Sequence, residues 1–335
     1  MKKIYIVLFL ILLYSCNGFH NLKSVKFNGL AQGTFYSITY YEKNGINYKT
    51  QIDSILKNFD KSVSIYDSTS LISKINKNDT TVVLDNYFIE IFNKAEQISE
   101  KTNGAFDITV APLVNAWGFG FKNKSDIDSS LIDSLLKFTG YKLVSIKKNK
   151  IIKKDFRIIL DFNAIAKGYS VDVIGKFLES KGIENYIVDI GGEVFAKGRK
   201  TNNKKWKIGI EKPAKTKFDK QKIKAEINLE NKAVATSGNY RNYYENNGER
   251  YSHIINPKTG YPVKNNLISA TVFADNCFFA DAYATAFMVM GLEKTKKILS
   301  KNKKLDAYLI YSDKNGDIKT YTTKGIKDIV KLLNC

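Results

Sequence analysis

Inside the apolar stretch "FFADAYATAFMVMG" (278–291), Asp281 and Thr285 stand four residues apart. That spacing is one helical turn, so the carboxylate and the hydroxyl lie on a single helix face. An ionised carboxylate in an apolar setting is costly unless a partner compensates it. Carboxylate plus hydroxyl are hard oxygen ligands that suit magnesium better than zinc, with backbone carbonyls, waters or phosphate oxygens completing an octahedron. On these two residues alone, an Asp stabilised by the helix dipole beside a packed Thr is the simpler account.

Other stretches carry the same tension between chemistry and architecture. In "LDFNAIAKGYSVD" (160–172), Asp161 ends an apolar run and Lys167 interrupts the start of the next helix beside Gly168. A strand-end carboxylate and a helix-start cation can grip a polar ligand, and a surface Lys with a helix cap fits equally well. In "ATSGNY" (235–240), a Thr236-Ser237-Gly238 turn would offer hydroxyls and open backbone N–H groups to phosphate. His253 in "YSHIINPKTGYPV" is the one imidazole outside the N-terminal tether, where His20 lies. A lone His is more often structural, but this one is placed to carry a proton near neutral pH. "TNGAFDITVAPLVNAWGFG" (102–120) reads as a core-lining turn whose aromatics could equally face a planar ring.

The elements that must position these groups follow from periodicity. "SVKFNGLAQGTFYSITYYEKNG" alternates and predicts two strands broken near Gly33. Ile52, Ile55, Leu56 and Phe59 have helical spacing, and Asp85 or Asn86 caps a helix that stops at Gly104. A further amphipathic helix is expected over 129–139. The stretch 157–190 reads as strand (157–161), helix (164–180), a stop at Gly182, and strand (185–190). More strands are expected at 206–210, 222–228, 233–236 and 267–274, then the helix carrying Asp281, then two strands and a short helix over 306–333. Helices and strands intersperse without a strict βαβ rhythm, which predicts an α+β fold with mixed sheets and packed helices in a single two-lobed catalytic domain.

At 335 residues, 44% hydrophobic and 26% charged, the chain has ample material for a core. The net charge of +20 comes from 53 basic residues of which only Arg157, Arg199, Arg241 and Arg250 are Arg. No Arg cluster interleaves with aromatics, which argues against nucleic-acid readout and for a solvated Lys-rich surface such as "IKKNKIIKK" (146–154). Attraction to acidic lipid or to a polyanionic small substrate stays open. The cysteines are Cys16, Cys277 and Cys335, with neither a metal motif nor a disulfide framework.

The N-terminus "MKKIYIVLFLILLYSC" has Lys2 and Lys3, an apolar run too short to span a bilayer, and then Ser15-Cys16. It resembles a bacterial lipoprotein signal with Cys16 as the lipidated residue. The expected organisation is a signal peptide over 1–16, a tether over 17–24 and a catalytic domain over 25–335. The product would be an exported lipoprotein anchored to a membrane on the periplasmic side or the cell surface.

In order, "GAFDITVAPLVNAWGFG", "LDFNAIAKGYSVD", "DIGGEV", "ATSGNY", "YSHIINPKTGYPV" and "ADAYATAFMVMG" resemble the signature blocks of the FAD:protein FMN transferases, the ApbE-type flavin transferase family. The resemblance runs from about residue 29 to 311. It implies that Asp161 and Lys167 contact FAD, and that the Ala164 carbonyl, Asp281 and Thr285 hold Mg2+. It implies that Ala105, Phe106 and Asp107 line the flavin pocket, that Ile254 touches FAD, and that His253 is the candidate catalytic proton carrier. An upstream pattern matches Ser64, Tyr66, Ser70, Ile72 and Asn76, with Tyr66 near the isoalloxazine. Two positions depart from the family pattern: Gln32 stands where Met is usual in the flavin contact, and Asn256 where Asp is usual.

The implied reaction moves FMN from FAD onto a Thr or Ser hydroxyl of exported subunits of membrane redox complexes, releasing AMP. A magnesium-dependent FAD pyrophosphatase and a non-catalytic FAD-binding lipoprotein are the alternatives.

Overall fold

A computed structural model of the chain describes residues 22–120, 127–213, 222–239, 243–246 and 249–333. Cys16, the signal segment, His20, Arg241 and Cys335 lie outside the described residues.

The described residues open with the expected pair of strands, β1 (Lys23–Ala31) and β2 (Thr34–Glu42). Gln32 and Gly33 join them with positive φ at both positions (52° and 71°), the two-residue hairpin loop whose twist matches the strands. Helices α1 (Lys49–Val63), α2 (Leu71–Asn76), α3 (Asn86–Lys101), α4 (Ala111–Ala116) and α5 (Ser129–Leu136) follow. Asp85 caps α3 by accepting from Phe88 N.

The Lys-rich stretch near 146–154, expected as exposed helix and loop, is instead a hairpin of β3 (Val144–Lys147) and β4 (Lys150–Lys153). Lys148 and Asn149 take positive φ at its turn. After it come α6 (Asn163–Ser180), β5 (Tyr186–Ile190), β6 (Glu193–Lys197), β7 (Trp206–Glu211), β8 (Ile223–Leu229) and β9 (Lys232–Gly238). A small pair, β10 (Tyr243–Asn246) and β11 (Glu249–Ser252), precedes β12 (Leu267–Ala274), α7 (Cys277–Met290) and α8 (Leu292–Lys301). β13 (Asp306–Ser312), β14 (Ile318–Thr322) and β15 (Val330–Leu332) complete the chain. The closing helix expected near 333 reduces to one 3-10 turn at Lys324–Ile326 before β15.

The main sheet has eight strands in the order β1-β2-β5-β6-β9-β12-β13-β14. Every ladder between described strands is antiparallel, so the fold is α+β with helices and sheets layered together. One face packs α1, α3, α6 and α7 in the large core. The other face carries Val194, Ala196, Phe273 and Tyr308, which pack on Trp206 and Ile227 of the three-stranded sheet β15-β8-β7. A third cluster joins Leu113, Trp117, Ile132 and Ile255, with Trp117 Nε1 donating to Gly260 O at 2.8 Å. No helix among the described residues is long and apolar enough to cross a membrane.

The strand expected over 157–161 does not form. Leu160 N donates to Asn76 Oδ1 and Leu160 O accepts from Asn76 Nδ2, both at 2.8 Å, while Asp161 N donates to Ile108 O. The apolar alternation is real, since Ile158 and Leu160 are buried, but side-chain and loop partners replace a ladder.

Helices α6 and α7 form the centre of the molecule as an antiparallel pair. Asp172 of α6 accepts from Cys277 N and Phe278 N at 2.8 and 2.9 Å, capping α7 from outside its own sequence. One turn earlier in α6, Gly168 lies against Cys277 O and Asp281 Cβ, where any side chain would collide. The same register carries Ala164, one turn earlier again, to the level of Thr285.

Candidate active site

Asp281 is buried, and its first partner is the backbone: Gly168 N donates to Oδ2 at 2.9 Å. The usual acceptor for that N–H is the Ala164 carbonyl four residues back, so sharing it leaves Ala164 O with acceptor capacity. The second partner is charge. Lys167 Nζ lies 2.6 Å from Oε2 of Glu193, whose side chain is only 6% exposed. Burial alone would lower the Lys167 pKa, but the charges of Glu193 and Asp281 outweigh it and hold the ammonium above its usual value. Burial, and then repulsion from Asp281, push the Glu193 carboxyl up to about 8 against the pull of Lys167. Burial also raises Asp281, against Lys167 and the Gly168 N–H. Two buried carboxyls thus share one cation, and the cluster keeps a proton near neutral pH.

Thr285, one turn along from Asp281, exchanges a hydrogen bond with Ser237 through hydroxyls 3.2 Å apart. Ser237 does not sit in a turn, as its sequence suggests. It lies in β9, where Thr236–Gly238 pairs along β12, and its hydroxyl meets that of Thr285.

Asp161 caps the approach to α6. Its Oδ1 accepts from Asn163 N at 2.7 Å, and burial pushes its carboxyl up to about 6 despite Asn163. Asn163 Nδ2 also reaches the hydroxyl of Tyr66, a ring 73% exposed. The pattern around Tyr66 is a scaffold. Ser70 caps α2 and donates to Ser64 O, Ile72 fills the core, and Asn76 clamps Leu160. Gln32, at the hairpin turn, accepts from Ser170 Oγ at 3.3 Å, and Ser170 itself bonds Lys167 O. Asp60, in α1, has its carboxyl pushed up to about 6 by burial.

The other expected residues fall into two places. Ala105, Phe106 and Asp107 are buried beside Ile108, the residue that receives Asp161 N. Asp107 spends both oxygens on protein donors, taking Thr109 N and Oγ1 on one and the distant Tyr141 N on the other. His253 stands on the third-cluster side, its ring edge-on to Phe119 at 6.3 Å. Ile254 is buried next to it and accepts from Val263 N. Asn256 works as a turn residue, accepting from Gly260 N through its carbonyl and from Lys258 N through Oδ1. Cys277 is buried, with its thiol pKa raised by burial, and takes no part.

Glu193 and Asp172 were not singled out from the sequence. Glu193 had one signal, an acid opening a strand between apolar residues and needing a cation inside. Asp172 had none, because its partners are backbone groups 105 and 106 residues away.

Residues 32–309 match the ApbE family. The chain belongs to that family. Among its ApbE relatives, the FAD:protein FMN transferase of Vibrio cholerae is 35% identical over 313 residues, covering 91% of this chain and 92% of that one. The FAD:protein FMN transferase of Haemophilus influenzae is 34% identical over 324 residues, with 92% of each chain covered. The solved flavin transferase ApbE from Vibrio cholerae superposes with a TM-score of 0.81 at 34% identity, covering 92% of this chain and 99% of the other. The apo flavinyl transferase ApbE of Pseudomonas stutzeri gives 0.80 at 32%, covering 92% and 97%.

Among the described residues no three His, Cys, Asp or Glu side chains converge as a metal cage. A magnesium ion beside Asp281 would draw on neutral oxygens as well as carboxylate. Asp281, Thr285 and the Ala164 carbonyl make that donor set, hard and oxygen-only, beside a cluster short of positive charge. The residues fit magnesium.

Proposed function

We propose that the chain transfers FMN from FAD to a Ser or Thr hydroxyl of a protein and releases AMP, with Mg2+ at Asp281, Thr285 and the Ala164 carbonyl. The observation that carries this is the cluster of half-buried Lys167 with the buried Glu193 and Asp281, two acids to one cation, one helical turn from Thr285. Bound there, magnesium would supply charge neutralisation for the phosphates, held by Asp281, Thr285 and the Ala164 carbonyl. Lys167 holds the phosphates as a half-buried ammonium. Asp161 and Tyr66, joined through Asn163, border the flavin end together with Gln32, Ala105, Phe106 and Asp107. Ile254 adds an apolar contact to FAD.

The acceptor oxygen bonds to the flavin-side phosphorus as the phosphorus–oxygen bond to AMP breaks. The bonding pair leaves with AMP, and His253 takes the hydroxyl proton. The chain's part is positioning and charge stabilisation more than covalent chemistry.

The test is Asp281→Asn, which keeps shape and removes charge. FMN transfer, read as the mass gain of an acceptor, should fall sharply and recover in part at high magnesium. Undiminished transfer by this variant with metal chelated would refute the metal role. Free FMN and AMP without labelled acceptor would assign the site to FAD hydrolysis, and FAD binding without turnover to storage.

The acceptors would be exported subunits of membrane redox complexes, because the Lys-flanked apolar run ending at Ser15-Cys16 fits export and lipid anchoring. Cys16→Ser should move the protein from the membrane to the soluble fraction, and a variant that still pellets and carries acyl label would count against anchoring.

A further inference from the structure

Glu193 is a buried acid with no task in the proposed reaction, and its surroundings assign it one. It opens β6 after Gly191 and Gly192, whose φ of 64° and 96° make a two-residue hairpin loop with Ile190 and Glu193 paired across it. The loop is pinned. Gly191 N donates to Phe35 O at 3.0 Å, and Gly192 N to Asp189 Oδ1 at 2.9 Å. Residues paired across a hairpin share a face, so Glu193 lies with Ile190 on the helix side of the main sheet. The start of α7 meets the same strand, where Cys277 Sγ donates to Val194 O at 3.7 Å. Glu193 is thus a carboxylate on rigid β-structure, facing the two helices that carry Lys167 and Asp281.

Lys167 is the movable member. Its chain neighbour Gly168 gives its N–H to Asp281 Oδ2, so the Lys167 backbone starts beside that carboxylate. A flexible four-carbon stem can then carry the ammonium toward either acid. Among the described residues its one ion pair is with Glu193, at 2.6 Å, and Asp281 is the next charge that acts on it. Asp189 feels Lys167 as well, but it stands two residues from Ile187 on the opposite face of the sheet. The other Asp281 oxygen, Oδ1, accepts from no donor among the described residues, although Asp281 is only 5% exposed. A buried carboxylate with one oxygen left open, beside an ammonium drawn elsewhere, is what a metal site needs. An ammonium on Oδ1 would occupy the ligand and repel a divalent ion.

We propose that Glu193 is a positioning residue that holds the Lys167 ammonium off Asp281 and so keeps Asp281 Oδ1 open for the metal. The proposal rests on the reading that Asp281 is a ligand of Mg2+. Without the Glu193 charge, Lys167 turns to Asp281, and the damage is done by Lys167 rather than by the missing acid.

The experiment reads metal binding to the full chain without FAD. Mn2+ serves as a paramagnetic stand-in with the same preference for oxygen ligands, and the free ion is measured by electron paramagnetic resonance. Glu193→Gln keeps the shape and should weaken Mn2+ binding at least about tenfold. Lys167→Met should bind Mn2+ at least as tightly as wild type. The double variant Glu193→Gln/Lys167→Met should return to within about threefold of wild type. Mg2+ should raise the Tm of these proteins in the same order, which reads the site a second way. Binding by the double variant as weak as by Glu193→Gln alone would overturn the proposal and make Glu193 a ligand in its own right. Undiminished binding by Glu193→Gln would overturn it too. Asp281→Asn separates the proposal from the reading beneath it. If Asp281→Asn takes up Mn2+ as wild type does, or wild type takes up none, the metal site fails and the proposal with it. If Asp281→Asn loses Mn2+ while Glu193→Gln keeps it, the metal site stands and only the part given to Glu193 fails.

Discussion

Gly168→Ala is the most direct test of the architecture that builds the site. A Cβ at this position would lie 2.5 Å from Cys277 O and 2.7 Å from Asp281 Cβ, where ordinary contact begins at 3.4 Å. The obstacle is mostly backbone, so it cannot rotate away, and α6 and α7 must separate by close to an ångström. Overpacking of this kind costs about 1–3 kcal/mol, offset by the roughly 1 kcal/mol that Ala gains over Gly within a helix. Net destabilisation should therefore be modest, about 0–2 kcal/mol in urea unfolding.

The functional loss should be far larger. The Gly168 N–H to Asp281 bond and the facing of Ala164 toward Thr285 both depend on that close approach, and a misplacement of about 1 Å can cost on the order of a hundredfold in rate. Urea titration and FMN transfer measured on the same preparation separate the two effects. Wild-type transfer in a stably folded Gly168→Ala would refute the argument that this contact sets the metal-binding geometry.

Asp172→Ala should cost about 1–3 kcal/mol, because two N–H groups at the start of α7 lose their acceptor, and Asp172→Asn should recover much of it. Equal stability of all three proteins in urea would show that the cap contributes nothing. Lys167→Ala should weaken FAD binding in a fluorescence titration, while Glu193→Gln should do so less, because the ammonium stays; an unchanged affinity for Lys167→Ala would remove it from the site. For pH, the carboxyls of Glu193, Asp172 and Asp161 are raised to about 8, 7 and 6, so the folded chain holds protons that the unfolded chain has released. Stability of the metal-free protein should therefore fall as pH rises from about 4 to about 8, and magnesium should raise Tm more at the upper end. A Tm that climbs across this window by differential scanning fluorimetry would contradict the raised carboxyls.

The residues expected to touch FAD and metal were named because they sit in short ordered blocks that resemble those of the family. Asp281 and Thr285 share a helix face by spacing alone, and Gln32-Gly33 announces its hairpin by turn chemistry. The scaffold was less legible. The segment 157–161 has the alternation of a strand, but Asn76 supplies the hydrogen bonds a neighbouring strand would have given. "IKKNKIIKK" is polar enough for a loop, yet pairs as a hairpin because Ile146 and Ile151 pack against the large core.

By itself, then, the order of residues determined the elements, the local caps and turns, and the identity of the chemical groups, because each of these depends on neighbours within a few positions. Tertiary structure alone decided what surrounds Asp281. The Gly168 N–H, Lys167 and Glu193 meet it across separations of 113, 114 and 88 residues, and their charges perturb one another only when packing removes water between them. A pattern along the chain names a carboxylate and a cation. Whether they share a proton, a metal or nothing depends on distance and burial, which are properties of the fold.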